Sequence, residues 1–413
     1  MVPEPVMNPD PSPLRDTASR SLPGLRIALH ADLAPLESAW RALLPRCDCS
    51  AFQTWAWNRA WQDCIGEAQG VRPRILLLCD ADGRVLGLFP LGLYRRGGLR
   101  VLAFLGDVVS DYRMPLLARD WITGVPAGAF AGLWRECLAL IAEADVVLLE
   151  RMPAGFDGRP NPMAALAGAE HVENAWLARL PASAEAYRAQ RSRKMLADNR
   201  RNMRRLQDQG ACSHTPAHAP DAADAVLAEL FRQKSRRWRE TGSRDLFADP
   251  AYRAFYGTLT RDELAGGLVS LCSLRAGRAL VATHWGLAFR GRYYWILPGY
   301  TGGELARYSP GRLLLQAQIE WAIGQGFEVF DLTVGEEAYK KAWAGDSLPL
   351  YRWRQARTFK GHLFLYAGRL KEAARNIRWL RRGIRRLRQL RRFKQIEQLK
   401  HIQRPERPGG PHD

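Results

Sequence analysis

GRYYWILPGYTGGELARYSPGRLLLQAQIEWAIGQGFEVFDLTVGEEAYKKAW, residues Gly291 to Trp343, sets out a strand, a glycine-rich turn, a helix and a second strand in that order. Arg292 to Leu297 is aromatic and β-branched, a strand composition, and Pro298, Gly299, Gly302, Gly303, Pro310 and Gly311 punctuate the stretch after it. Leu314, Leu315, Ile319, Ala322 and Ile323 then recur at helical spacing until Gly324 and Gly326 stop the run. The helix is expected to start near Gly311. Its first-turn N–H groups lack internal partners and carry the positive end of the helix dipole, so the loop and helix start suit a phosphate or pyrophosphate. Phe327 to Leu332 reads as a short buried strand, parallel to the first, with Asp331 at its C-terminal end. Ligands of open α/β sheets bind beyond such ends.

Working outward, the same order of elements occurs twice. Leu25 to Leu29 reads as a strand, Leu33 to Leu44 and Trp55 to Cys64 as helices, and Arg74 to Cys79, Val85 to Tyr94 and Arg100 to Leu105 as three antiparallel strands. The turn Asp80-Ala81-Asp82-Gly83 separates the first two of those strands. Phe130 to Ala142 is expected to be helical and Val146 to Glu150 a buried strand. In the second half, helices over Ala222 to Glu240 and Pro250 to Leu259 precede strands at Leu268 to Arg275 and Ala279 to Phe289 and then the Gly291 to Trp343 segment. The expected organisation is a disordered segment over 1–23, a first domain over 24–182 and a second over 183–360. A basic amphipathic helix over 361–402 and a disordered tail over 403–413 complete it.

A chain of 413 residues with 47% hydrophobic residues and 14 Trp can bury two cores, which points to two domains with extensions. No apolar run approaches the ~18 residues of a membrane helix, and MVPEPVMNPDPSPLRD lacks the apolar centre of a signal peptide, so a cytoplasmic location is expected. Seven scattered cysteines suit a reduced compartment rather than a disulfide framework. Cys47-Asp48-Cys49 and Cys212-Ser213-His214 with His218 offer metal-ligand types without a second pair at fitting spacing, so no metal is expected. A Gly-x-Ser-x-Gly elbow, a P-loop lysine motif and a dinucleotide fingerprint are all missing. The common hydrolase, NTPase and dehydrogenase readings fall with them.

The net charge of +19 is concentrated near the C-terminus, where residues 369–394 carry twelve Lys or Arg against the single acid Glu372. Ile377, Leu380, Ile384, Leu387, Leu390, Phe393, Ile396 and Leu399 recur every three or four residues through this segment, giving a narrow apolar stripe flanked by cations. Such a helix can pack on the body, lie on the anionic inner face of a membrane through 369–402, or grip nucleic acid. A second cluster, Arg191, Arg193, Lys194, Arg200, Arg201, Arg204 and Arg205, shares a helical pattern with Met195, Leu196, Asn199, Met203 and Leu206. It is a solvated face unless its arginines reach the cleft, where they would bind an acidic group or phosphates.

Several separated motifs point one way: Phe52-Gln53-Thr54 followed by Trp55 and Trp57, Ser110-Asp111-Tyr112, Tyr308-Ser309-Pro310-Gly311, and Asp331 followed by Gly335, Tyr339-Lys340 and Trp343. The strand, glycine loop, helix and strand resemble the acyl-CoA-binding core of the GNAT N-acetyltransferase superfamily, in which the loop holds the CoA pyrophosphate and the pantetheine lies between two splayed strands. Together the motifs resemble the acetyltransferases associated with cellulose and exopolysaccharide biosynthesis, a family related to the Fem-type peptidoglycan aminoacyltransferases, over roughly residues 25 to 360. The resemblance implies a mixed α/β fold of two tandem GNAT-like acyltransferase domains, with acetyl-CoA as acyl donor held by 183–360, the acceptor on the side of 24–182, and an acidic acceptor or the CoA phosphates as the ligand of the Arg191 to Arg205 cluster if it reaches the cleft.

Acyl transfer from a thioester needs a positioned acceptor, a base for its proton, a donor to the thioester oxygen and an acid for the thiolate. Asp331 is placed either as base or acceptor-orienting group, or as a turn cap. Tyr339 can protonate a leaving thiolate and Lys340 can bind phosphate, or the two are a packed ring and a surface charge. His284 is either a base or a hydrogen-bonded core histidine. Arg307, Tyr308, Ser309, Gly311 and Arg312 are the candidate contacts to the donor pyrophosphate, and Asp111 and Tyr112 either bind the acceptor or form a turn. Three functions are open: a CoA-dependent N- or O-acyltransferase acting on a sugar, a polysaccharide precursor or a related small metabolite; a transferase using aminoacyl-tRNA; and a non-catalytic GNAT-fold protein tethered by its basic tail.

Overall fold

Alternation of apolar and turn residues in the first half folds as a meander. The computed structural model describes residues 13–217, 220–335 and 337–373. Strands β1 (Arg15–Ala18) and β2 (Arg26–His30) and helices α1 (Glu37–Leu43) and α2 (Trp55–Trp61) lead to β3 (Arg72–Cys79), β4 (Val85–Arg96) and β5 (Leu99–Phe104). Next come β6 (Leu116–Leu117), α3 (Arg119–Ile122), α4 (Ala127–Leu140), β7 (Val146–Pro153), the hairpin β8 (Gly155–Phe156) and β9 (Arg159–Pro160), and then β10 (Glu170–Arg179). The second half comprises α5 (Ala184–Ala189), α6 (Arg193–Gln207), β11 (Cys212–Pro216), α7 (Pro220–Thr241), α8 (Pro250–Glu263), β12 (Val269–Ala276), β13 (Ala279–Phe289) and β14 (Arg292–Tyr300). It ends with α9 (Pro310–Gly324), β15 (Val329–Val334), α10 (Ala338–Trp343) and β16 (Asp346–Ala356).

One mixed sheet runs through the body in the order β1-β2-β3-β4-β5-β7-β16-β10-β15-β14-β13-β12-β11, with β6 beside β4. Within each half, antiparallel strands lead to one parallel pair, β5 with β7 and β14 with β15, joined through the crossover helices α4 and α9. The centre of the sheet is exchanged. Strand β10 follows the first half in the chain yet pairs with β15, whereas β16 ends the second half yet lies beside β7. Packing reflects this exchange, because Trp353 of β16 joins the first core and Ala178 of β10 the second. Trp353 meets Trp134 of α4 edge to face at 6.0 Å, and its indole donates to Ala167 O at 3.0 Å.

Several strands, β1, β10 and β16 among them, were not expected from the sequence. Order begins earlier than residue 24: β1 pairs with β2, and Glu136 accepts hydrogen bonds from both Ser19 Oγ at 2.6 Å and Ser21 Oγ at 2.7 Å. Strands β10 and β16 have no clean apolar alternation, and Pro349 inside β16 pairs with Asn174. The described residues up to Gln355 form one compact unit, and Ala356 opens a second, in which residues 359–373 are helical. The remainder of the expected basic helix and the tail to residue 413 lie outside the described residues. No described helix is long and apolar enough to cross a membrane.

Candidate active site

Strands β14 and β15 are paired only through Arg292 with Val329, Tyr293 with Phe330 and Tyr294 with Asp331. Beyond that point β14 stays with β13 as far as Tyr300, and β15 stays with β10 as far as Val334, so the two strands part. Local chemistry holds the parting. Thr333 has a left-handed φ of 58°, a strained conformation for a β-branched residue, and its N–H donates to Asp331 Oδ1 at 2.8 Å. Register shifts in the flanking ladders, at Trp285/Gly286 and Trp176/Leu177, add to the divergence.

Asp331 therefore sits where the strands separate, but its side chain has no exposure. Tyr112 Oη donates to Oδ1 at 2.7 Å and Arg292 to Oδ2 at 3.1 Å. Burial raises the Asp331 carboxyl above its ordinary value, against the opposing charge of Arg292. The motifs of the two halves converge here. Ser50 and Gln53 form a capping box, Gln53 Nε2 donates to Tyr112 O at 2.9 Å, and Trp57 Nε1 donates to Ser110 Oγ at 2.8 Å. The Phe52 ring lies edge-on to Trp57 at 4.9 Å and to both Tyr112 and Tyr294 at 5.8 Å. Neighbouring Asp111 is paired with Arg151 at 3.0 Å.

On the other side of the parting, a 3-10 turn over Gly303–Tyr308 leads to Ser309, whose left-handed φ of 56° turns the chain into α9. Pro310 occupies the first helical turn and has no N–H to satisfy. A Cβ on Gly311 would lie 3.0 Å from Tyr300 Cδ1, so the backbone approaches the β14 end closely. Arg312 has a buried Nε without a partner. Arg307 is exposed; it pairs with Glu304 at 2.9 Å and lies 5.0 Å over the ring of Tyr308, which is buried. Downstream, Lys340 is buried and donates to Val334 O at 2.5 Å, closing the turn after β15, while Tyr339 is about one-third exposed with its phenol pushed up by burial.

His284 belongs to the core beneath this region. It is fully buried and stacks on Trp295 at 3.8 Å. Ile296 N donates to its Nε2 at 3.2 Å, and Nδ1 faces Tyr293 Oη at 3.1 Å, so both ring nitrogens are engaged. Burial lowers its pKa far below the ordinary value, keeping the ring neutral. The structure thus brings Asp331 and Tyr112 together, gathers Ser309, Gly311 and Arg312 at the α9 start, and puts Tyr339 and Lys340 on α10, after β15.

Two residues escaped the sequence reading. Arg292 links Asp331 to Asp157 at 3.2 Å and lies 4.4 Å over Phe156, at the wall of a cavity of about 1030 Å³ lined by the 154–160 hairpin, Arg179, Arg290 and Asp346. Its signal was the strand period of two, which puts Arg292 on the same face as Tyr294. Lys234 of α7 lies 4.9 Å from the Trp238 ring; burial lowers its amine to about 8, with Glu337 opposing and Lys340 and Arg237 adding to the shift. Nothing in the run FRQKSRRWRE separates it from the surface cations around it.

Helix α6 packs beside α9, with Asn199 donating to Gln316 at 2.7 Å. Arg200 and Arg204 line a groove of about 400 Å³ with Met203, Leu313 and Glu320. Arg191 turns instead to Trp343 O and Ala344 O, at 3.0 and 2.9 Å. Among the described residues no group of three His, Cys, Asp or Glu side chains is placed to hold a metal ion. His218 lies outside them.

Residues 193–341 match the family described as an acetyltransferase (GNAT) domain. No curated protein matches the chain in sequence. Among solved structures, FemX superposes over 77% of this chain and 95% of its own with a TM-score of 0.54 and 10% identity. The C-terminal domain of a lysylphosphatidylglycerol synthetase, described as putative, from Agrobacterium fabrum covers 81% and 95% with a TM-score of 0.47 and 11% identity. A tandem GNAT protein from the clavulanic acid biosynthesis pathway covers 81% and 99% with a TM-score of 0.41 and 13% identity. Residues 193–341 thus match a GNAT acetyltransferase domain, and they lie in a mixed α/β fold whose two halves repeat one order of antiparallel strands, crossover helix and parallel strand.

Proposed function

We propose that the chain is an acyl-CoA-dependent N- or O-acyltransferase that moves an acetyl group to a sugar, a polysaccharide precursor or a related small metabolite. The observation that carries this reading is the parting of β14 and β15 beside the α9 N-terminus, inside the segment that matches the GNAT domain. The residues present fit a CoA donor: Gly311 lets the start of α9 pass close to the end of β14, where a Cβ would lie 3.0 Å from the Tyr300 ring, and Arg312 Nε is a buried donor without an acceptor. Gly311 would hold the pyrophosphate by its backbone N–H, Ser309 by its hydroxyl and Arg312 by its guanidinium, since the N–H groups of Ser309 and Arg312 already donate to Ala306 O and Ser309 O, with the helix dipole adding to the attraction. Tyr339, about one-third exposed, would give its phenol proton to the departing thiolate as the acceptor amine or hydroxyl bonds to the acyl carbon and the C–S bond breaks, and the proton the acceptor loses would pass through solvent to restore the phenol. Asp331 has no exposed atom, so its proposed role is to hold the parting in shape rather than to touch the acceptor.

The test is release of free CoA thiol from acetyl-CoA across a panel of amino sugars and hydroxylated saccharides. Turnover with one acceptor class, reduced about tenfold or more in Tyr339→Phe, supports the reading; no thiol release with any acceptor counts against it.

A second reading, transfer from aminoacyl-tRNA, is favoured by α6, where Arg193, Lys194, Arg200, Arg201, Arg204 and Arg205 are all exposed and Arg200 and Arg204 border α9. It predicts tRNA binding whose affinity falls steeply with salt.

A further inference from the structure

The helix over residues 359–373 leaves a line of large apolar side chains uncovered: Phe359 is 77% exposed, Leu363 54%, Tyr366 64% and Leu370 54%. Their spacing of four, three and four residues places them along one stripe of a helix, and Phe364, 39% exposed, widens it. Contiguous apolar patches of this kind mark contact sites rather than ordinary surface. The charges around the stripe decide which contact. From residue 359 to 373 the cations are Lys360, Arg369 and Lys371, the single acid is Glu372, and residues 374–394 add ten more Lys or Arg with no acid.

We propose that residues 359–373 lie in the interface of an anionic bilayer, with Phe359, Leu363, Tyr366 and Leu370 in the acyl boundary and the cations at the headgroups. The residue types suit that environment: Leu and Phe supply apolar area, Tyr has an apolar body with a polar tip, and Lys and Arg extend their stems to reach phosphate. An apolar protein groove would satisfy the stripe equally well but offers no reason for the excess of positive charge, whereas an anionic leaflet attracts it. With Lys360, Arg369, Lys371 and Glu372 among its residues the segment is too charged to span, so it lies along the surface.

The full chain is sedimented with vesicles of phosphatidylcholine alone and of phosphatidylcholine with about one-third phosphatidylglycerol. The proposal predicts binding to the anionic vesicles, weakened by salt, and at least about tenfold weaker partitioning for the double substitution Leu363→Asp, Tyr366→Asp. Both positions are exposed, so far-ultraviolet circular dichroism and the thermal midpoint are expected to match the parent. The proposal is overturned if the parent binds neither vesicle, or if the double variant partitions like the parent, which would assign binding to charge alone. Loss of self-association in the variant without any vesicle binding in the parent would also overturn it, by making a second copy the occupant.

Discussion

Tyr112 Oη donates to Asp331 Oδ1 at 2.7 Å, a bond that joins a loop of the first half to the point in the second half where β14 and β15 part. Burial raises the Tyr112 phenol well above its ordinary value, so it remains a proton donor to the carboxylate. The same carboxylate receives the Thr333 N–H and the Arg292 guanidinium. One buried acid therefore sets the bend of a strand and the seating of the other half upon it.

Tyr112→Phe removes one of these donors and nothing else of size. The expected loss is about 1–3 kcal/mol of stability, because the carboxylate stays buried with a donor missing. Asp331→Asn is expected to cost more, about 3–5 kcal/mol, since it leaves the Arg292 charge facing a neutral amide. Urea unfolding of both variants measures the order; a Tyr112→Phe loss larger than that of Asp331→Asn would contradict the network.

Lys234 gives a pH signature. Its folded value of about 8 lies below the ordinary 10.5, so the unfolded chain holds the proton more readily between those limits. Its contribution is present in full above about pH 10.5 and is lost as pH falls to about 8, so stability attributable to this group rises with pH through that window. Lys234→Met is expected to flatten the rise. Denaturant midpoints at several pH values test it, and parallel curves for parent and variant would refute the assignment.

Trp353 tests the strand exchange. It belongs to β16, at the end of the second half, yet packs in the first core against Trp134. Trp353→Ala is expected to cost about 3–5 kcal/mol, as for other large aromatic truncations in cores. Hydrogen exchange is expected to show the loss of protection in β7 and α4 rather than in β14 and α9 alone; the reverse distribution would contradict the packing.

Much of the frame was legible in the sequence. The order of elements from Arg292 to Leu332 came from local composition, and the structure places β14, α9 and β15 within three residues of the expected bounds. Strands β10 and β16 were illegible because their stability comes from neighbours brought from the other half. Glu170–Arg179 carries charge at both ends, and a proline such as Pro349 argues locally against a central strand. The site was legible as a set of residues, since Phe52, Tyr112 and Asp331 lie far apart in the chain and meet in one cluster. What they do there was not. Burial decides whether Asp331 meets a ligand or braces a strand, and burial depends on contacts more than 200 residues away. Lys234 was hidden for the same reason, since a lysine in a basic helix is distinguished only by what covers it.

The claim that most needs a direct test is a donor site at the start of α9. Isothermal titration of acetyl-CoA and CoA into the purified chain is expected to give dissociation constants in the micromolar range. Gly311→Glu places a carboxylate at the proposed pyrophosphate position, where a Cβ already approaches Tyr300 to 3.0 Å, and is expected to abolish that binding while the thermal midpoint shows the variant still folded. Binding that survives in a folded Gly311→Glu variant, or no binding in the parent, would contradict the account.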